Sequence, residues 1–386
     1  MPRVTHVVRQ YLPSIGGMEE VVRNIALHQL QTGQKGTRVI TLNRLFRTTK
    51  QQSDQGNLPA REIIDGIEVI RLPYYGSSRY PLCPSILREL GDTDVIHVHG
   101  VDFFYDFLAA TQWIHRRPLV LSTHGGFFHT AFASTAKNVF FKTVTRLSSK
   151  AYAKVIATSA NDGQLFSKIM SAPKLSVIEN GVDVVKFADQ GAQGLQPTLI
   201  YFGRWSVNKG LLEALDLFAG LHKQDNRWRF IIAGREYDHS LSELQLRVCD
   251  LGLEQSVELV PNPSDDTLRR LIQQASYFLC LSRHEGFGIA PIEAMSAGLT
   301  PVLSDIPPFR TLIEKSNLGV LVQDSSSPTS AIEQLIALHA QGNSAFEQRR
   351  AAAIEFAQQY AWQQVADDYL DVYAQFSKKL PKGDAA

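Results

Sequence analysis

Cysteine is scarce: Cys83, Cys249 and Cys280 are the only three in 386 residues, far apart and each in or beside apolar sequence. That spacing supports neither a disulfide framework nor a cysteine-based metal knuckle, and it fits a reducing cytoplasm. Charge of one sign is not in excess either. With 39 Lys and Arg against 38 Asp and Glu and a net charge of +1, the chain as a whole offers no field for a polyanion, and no nucleic acid partner is expected. The opening MPRVTHVVRQYLPSIGG has no basic segment followed by an apolar core, and no window reaches the ~18 apolar residues of a membrane span. Neither signal-directed secretion nor a spanning helix is expected. The phosphate-binding G-x-x-x-x-G-K-[ST], the hydrolase elbow G-x-S-x-G and the dinucleotide fingerprint G-x-G-x-x-G are all missing, so those three chemistries lose their main residue patterns.

What is present is alternation. A chain of 386 residues, 44% hydrophobic, exceeds what one core usually organises, which predicts two domains. Short apolar runs (VTHVV, TRVITL, DVIHVHG, PLVLSTHGG, KVIATS) alternate with stretches of helical period such as MEEVVRNIALHQL, the pattern of a parallel sheet with crossover helices. Asp65-Gly66 marks a hairpin inserted into this series. The polar segment 189–198 predicts an interdomain linker, after which the alternation restarts at TLIYFG. The expected division is a first domain over 1–188, a second over 199–361, and a helix from 362 that crosses back to the first domain and ends in a polar tail.

Four motifs carry candidate chemistry. In 284-HEGFGIAPIEAMSAG-298, Glu285 lies in a loop and Glu293 in the helix that follows; the amides around Phe287, Gly288 and Ile289 open that helix, where anions and sugar hydroxyls bind. In 201-YFGRWSVNKG-210, Arg204 and Lys209 bracket a strand-to-helix loop and can neutralise a diphosphate without metal. Gly16 and Gly17 in 14-SIGGMEE-20 join the first strand to the first helix, and His124 ends a strand in STHGGFFH, where it can hydrogen-bond a substrate hydroxyl. Ser159 and Asn180 are polar groups at strand ends and possible substrate contacts. Spacing alone also allows the plain alternatives of loop carboxylate, solvated helix face, surface cations, tight turn and silent histidine. Asp92-Thr93-Asp94 and His97-Val98-His99 look like metal-binding pairs but are set aside. Asp94 starts a strand, and the two histidines share one face of a buried strand with no carboxylate at useful spacing.

HEGFGIAPIEAMSAG, FGRWSVNKG and SIGGMEE together resemble the retaining glycosyltransferases of family 4, over the whole chain. The resemblance implies an α/β GT-B fold, two doubly wound Rossmann-like domains facing a cleft. It also implies a nucleotide-sugar donor held chiefly by the second domain: Glu293 on the ribose hydroxyls, Glu285 beside the donor sugar, Arg204 and Lys209 on the diphosphate, His124 on the sugar's far hydroxyl. Ile289-Ala290 stands where members of the family often carry Leu-Pro. HVVRQYLPSIGGMEEVV, HGVDFFYDF, STHGGFFHTAFAS, AGREYD and CLSRHEGFGIA extend the resemblance to the mannosyltransferases of acetan and xanthan exopolysaccharide assembly, which move α-mannose from GDP-mannose to cellobiosyl-diphosphopolyprenol. With Arg204, Lys209 and the helix-start amides to supply the positive field, no metal and no other cofactor is expected. The alternatives are a family 4 glycosyltransferase with another sugar nucleotide or lipid acceptor and, ranked below it, a UDP-sugar epimerase of the same architecture.

Charge that is balanced overall is not balanced locally. From Phe107 to Asn161 there is no Asp or Glu, while Arg116, Arg117, Lys137, Lys142, Arg146, Lys150 and Lys154 are basic. Residues 132–155 read as largely helical, with Lys137, Lys142 and Arg146 beside Phe140, Phe141 and Val144. Such a helix suits an anionic membrane surface, and the expected location is peripheral, at the cytoplasmic face of the inner membrane.

Overall fold

The computed structural model describes residues 2–14, 16–46, 57–78, 80–124, 140–325 and 327–377. They form two compact units: Met1–Gly181 with Trp362–Ala386, and Val182–Ala361.

The first unit is an eight-stranded sheet in the order β3-β4-β2-β1-β5-β6-β7-β8. Its strands are β1 (Val4–Val7), β2 (Arg38–Leu42), β3 (Arg61–Ile64), β4 (Ile67–Leu72), β5 (Val95–His99), β6 (Leu119–Ser122), β7 (Tyr152–Ala157) and β8 (Leu175–Val177). All pairings are parallel except β3 with β4, the hairpin turning at Asp65-Gly66. β1 and β5 are buried along their whole length, as strands covered on both faces must be, and their Thr5, His6, His97 and His99 are buried with the apolar residues. The helix Gly17–Gln31 buries Val21, Val22, Ile25, Ala26 and Gln29 and carries Glu19 and Glu20 in its first turn, where the helix dipole favours acids.

The last helix, Trp362–Ala374, belongs to this unit. Its Val365, Tyr369, Leu370, Val372 and Tyr373 pack in one cluster with Val4, Val21, Ile25, Val95, Val120, Ile156 and Ile178. Burying a large apolar side chain stabilises by roughly 1.5–3 kcal/mol, so these five together contribute about 10 kcal/mol, comparable with the net stability of a whole domain. The helix is core, not appendage.

The second unit is a six-stranded, fully parallel sheet in the order β11-β10-β9-β12-β13-β14. Its strands are β9 (Thr198–Trp205), β10 (Arg229–Glu236), β11 (Val257–Pro261), β12 (Tyr277–Cys280), β13 (Thr300–Ser304) and β14 (Val320–Val322). Counted within the unit this is 3-2-1-4-5-6, the doubly wound order whose direction of winding reverses between β9 and β12; ligands bind beyond the carboxyl ends of strands at that point.

Two expectations change. Residues 189–198 are not a linker, because they pack on the second unit: Asp189, Gly191 and Ala192 donate backbone hydrogen bonds to Ser296, Ala297 and Ala275, and Val184 and Phe187 are buried in that unit's core. The division falls at Gly181/Val182 rather than at 188. The helical reading of 132–155 also needs revision. Residues 132–139 lie outside the described residues, Phe141–Thr145 form a π-helical turn running into the helix Arg146–Ser149, and from Tyr152 the chain is strand β7.

Candidate functional site

Sheet order explains why two motifs far apart in sequence meet. β9 and β12 are neighbours, with Leu199 opposite Tyr277, so the loops after them, 203–210 and 281–288, leave the sheet side by side. Asn208 Nδ2 donates to His284 O at 2.7 Å, and Arg283 N donates to Asn208 O at 2.8 Å. The tight junction requires glycine at 210, where φ is +63° and an added Cβ would lie 2.1 Å from Leu281 O.

Across this seam Lys209 Nζ meets Glu285 Oε1 at 2.5 Å, with the two side chains only 18% and 16% exposed. Ser282 Oγ donates to the same carboxylate oxygen at 2.8 Å. Sequence reasoning put Lys209 on the diphosphate and Glu285 beside the sugar; the structure pairs them directly. It also adds Ser282, which sequence reasoning missed although Ser282 lies only three residues before Glu285. The loop ends at Gly288, with φ +100° and an added Cβ 3.0 Å from the Phe309 ring, and the helix Ile289–Ser296 begins there. Ile289 is 45% exposed. The Phe287 ring packs edge-on against Tyr360, centroids 5.7 Å apart.

Beside this seam lies a cavity of about 460 Å³ at the carboxyl ends of β9, β10 and β11. Arg204 and Glu293 line it, with Phe187, Phe202, Arg235 and Asn262. The Arg204 guanidinium stacks over the Tyr237 ring, 5.4 Å from its centroid. Gly234 is needed where β10 meets β9 at the cavity: a Cβ there would fall 1.8 Å from Gly203 O. Apolar rings, two guanidinium groups and a carboxylate in one concave site suit a ligand with a flat ring, an anionic group and hydroxyls.

In the first unit, Gly16 caps the helix Gly17–Gln31 with an extended backbone, φ −165°. His124 follows β6 in a left-handed conformation, φ +52°, rare for a residue with a side chain. Its Nε2 lies 2.9 Å from His99 Nδ1, the end of a line of buried histidines. Burial, which penalises the charged ring, pulls His124 down to about 3 and His6 to about 4, and holds His97 and His99 well below the ordinary range. His97 and His99 do share a face, with ring centroids 4.0 Å apart, and among the described residues His6, His97 and His99 form a group with metal-ligand spacing. Every nitrogen of the three is already hydrogen-bonded: His97 to Tyr373 OH and Ser122 Oγ, the others to each other, to Gln29 and to His124. In this structure the cluster forms a closed hydrogen-bond network.

Two strand-end residues look different in the structure. Ser159 Oγ accepts from Asp162 N at 3.1 Å and caps the helix Ala160–Phe166, a local structural use. Asn180 Oδ1 is buried with no hydrogen-bond partner among the described residues. The proposed membrane face also changes. Lys137 lies outside the described residues, Phe140 is half-buried, and Phe141 is in the core, 4% exposed and edge-on to Phe166, so Phe141 cannot enter lipid. Lys142 and Arg146 are exposed as expected. The exposed apolar groups beside them are Val144 and Leu147, and Trp113 and Ile114 are exposed too; Gln112 Nε2 donates to Ala151 O at 3.1 Å and ties the two segments together.

The comparisons with known proteins agree with this geometry. The family model described as Glycosyltransferase Family 4 matches residues 15–186, and that described as Glycosyl transferases group 1 matches residues 185–359. A GDP-mannose:cellobiosyl-diphosphopolyprenol alpha-mannosyltransferase of Xanthomonas oryzae pv. oryzae is 51% identical over 96% of both chains. The enzyme of the same name from Komagataeibacter xylinus is 39% identical, over 100% of this chain and 96% of its own. Among solved structures, a glycosyltransferase from Rickettsia africae superposes with a TM-score of 0.72 at 16% identity, covering 98% of this chain and 99% of that one, which speaks to the fold alone. With two mainly parallel-sheet units, a charged cavity at the carboxyl ends of the second unit's strands, and relatives of this identity along the full length, the chain belongs to the family 4 glycosyltransferases of GT-B fold.

Proposed function

We propose that the protein transfers α-mannose, with retention, from GDP-mannose to cellobiosyl-diphosphopolyprenol, a step of acetan- or xanthan-type repeat-unit assembly. The observation that carries this is the 51% identity to the Xanthomonas oryzae enzyme of that name over 96% of both chains, far above the 16% that speaks only to fold.

The site supports roles for individual residues. The cavity beside β9 takes the nucleoside, with Glu293 on the ribose hydroxyls and Arg204 on the diphosphate. Lys209, paired with Glu285 in this structure, turns to the diphosphate as charge develops on the leaving group, and Glu285, still held by Ser282, lies beside the mannose. Fixed cations and the amides of 286–289 at the helix start supply the positive field, so transfer proceeds without a divalent ion. Gly16 and Gly17 are assigned to donor binding and His124 to the sugar's far hydroxyl.

The lipid acceptor calls for membrane access. Among the described residues no helix is long and apolar enough to cross a bilayer, so the reading is peripheral binding at the cytoplasmic face of the inner membrane. Trp113 (75% exposed) and Leu147 (68%), beside exposed Arg116, Lys142, Arg146 and Lys150, supply apolar anchors and cations. The experiment that tests the assignment compares GDP-mannose, UDP-glucose and UDP-galactose as donors to lipid-linked cellobiose. Mannose should transfer in the α configuration; preference for either UDP-sugar, or release of an altered sugar nucleotide without acceptor, would overturn it.

A further inference from the structure

Two of the buried histidines, His6 and His99, form a single line with Gln29 at one end and His124 at the other. Gln29 Oε1 is 2.8 Å from His6 Nε2, His6 Nδ1 is 3.0 Å from His99 Nε2, and His99 Nδ1 is 2.9 Å from His124 Nε2. The four residues come from the first helix, β1, the end of β5 and the residues just after β6. The line therefore spans the reversal of strand order between β1 and β5 in the first unit, where that sheet is open to a ligand.

We infer that Gln29, His6 and His99 are positioning residues that fix the tautomer of His124, putting its proton on Nε2 and leaving Nδ1 as a bare acceptor for a donor-sugar hydroxyl. Burial keeps the rings neutral, and a neutral imidazole has one N–H and one lone pair. The Gln29 carbonyl oxygen only accepts, so His6 carries its proton on Nε2. Its Nδ1 is then a lone pair that must accept from His99 Nε2–H. His99 Nδ1 is bare in turn and accepts from His124 Nε2–H. One ring in the wrong tautomer would set two protons or two lone pairs face to face at about 3 Å, so the rings change together or not at all. Gln29 is the terminus that chooses: turning its amide over would make it a donor and reverse every bond in the line. Gln29 is fully buried, on the core face of its helix, where an apolar residue would pack without an unsatisfied group; the Gln29 amide nitrogen has no hydrogen-bond partner among the described residues. His124 has no other hydrogen-bond partner among the described residues, so Nδ1 is the nitrogen left for a ligand.

The inference rests on the reading of His124 as a donor contact, and the test separates the two. Histidine ring nitrogens of the full-length protein are observed by long-range ¹H–¹⁵N NMR near pH 7.5, with His124 assigned from a His124→Asn sample. In the wild type, His6, His99 and His124 should all show protonated Nε2 and bare Nδ1, a result that needs no variant to fold. Gln29→Glu keeps an acceptor and should preserve that pattern, with kcat/KM for GDP-mannose within about threefold. Gln29→Met removes it: His124 should show both tautomers, and kcat/KM should fall about tenfold, the worth of one oriented hydrogen bond. A wild-type His124 protonated on Nδ1, or a tautomer unmoved in Gln29→Met, overturns the inference. A tautomer that moves in Gln29→Met while kcat/KM stays at the wild-type value upholds the relay and instead removes His124 from the donor site.

Discussion

Lys209→Ala should strike stability and turnover by different amounts, and the structure sets both. The ammonium is 2.5 Å from Glu285 Oε1, with both side chains less than a fifth exposed. Two unit charges about 4 Å apart attract by about 4 kcal/mol at the effective dielectric of a partly screened site, and desolvation offsets much of that. Removing one partner is the costly change, because the other charge stays buried: about 3–5 kcal/mol for a fully enclosed pair. Here Ser282 still donates to Glu285 at 2.8 Å and some solvent reaches the pair, so about 1–3 kcal/mol is expected. Turnover should suffer more. Loss of one electrostatic partner of a developing charge costs about 3–4 kcal/mol, a few hundredfold in kcat. Urea unfolding and a GDP-mannose transfer assay on lipid-linked cellobiose read the two effects. The double variant with Glu285→Gln should recover part of the lost stability, since the stranded carboxylate is gone, and none of the lost turnover. Full stability with kcat within threefold of wild type in Lys209→Ala would refute the argument.

Glu293→Ala should raise KM for the donor about tenfold and lower kcat less, because ribose contacts are alike in ground and transition states; a dead Glu293 variant beside an active Glu285 variant would reverse the roles. EDTA should leave activity intact, and loss restored by Mg2+ or Mn2+ would remove Arg204 and Lys209 from the diphosphate. In liposome sedimentation, binding should require anionic lipid, weaken as salt rises, and drop both in Lys142→Ser/Arg146→Ser/Lys150→Ser and in Trp113→Ser/Leu147→Ser; equal binding to neutral vesicles counts against it. The histidine cluster sets a pH dependence. His6 and His124, with folded values of about 4 and about 3, bind protons more weakly than in the unfolded chain, as do His97 and His99. Stability is therefore full above about pH 6.5 and falls toward pH 4, by up to about 1.4 kcal/mol per pH unit for each ring. Asp102, pushed up to about 6 by burial against the pull of Arg9, works in the opposite direction between pH 4 and 6. A urea midpoint unchanged between pH 7.5 and 5.5 would contradict this.

The two-sheet architecture was legible because parallel strands covered on both faces leave continuous apolar runs, and the second unit's motifs were legible because glycines such as Gly210 and Gly288 mark places where backbones touch. The boundary was not legible. Residues 189–198 look like a linker by composition, yet their backbone donates into the second unit at Ser296, Ala297 and Ala275, contacts that a polar, glycine-rich string does not advertise. The π-helical turn at Phe141–Thr145 likewise turns Phe141 inward while Leu147 stays outside, and a 3.6-residue period cannot anticipate that.

The histidines were hidden for a different reason. In sequence, His97 and His99 pose one question, whether they bind metal, and without a carboxylate at useful spacing the answer is no. That answer leaves their burial unexplained, since an unpaired imidazole in a core is costly. The partners that resolve the cost are a helix residue 23 positions after His6 and a tyrosine 276 positions after His97, supplied by the first and last helices of the unit. Tyr373 is thus core and polar partner at once: its ring packs with Val4 and Ile25 and its hydroxyl lies 2.6 Å from His97 Nδ1. The C-terminal helix returns to the first unit for both purposes, closing its apolar face and giving the buried His97 a polar partner.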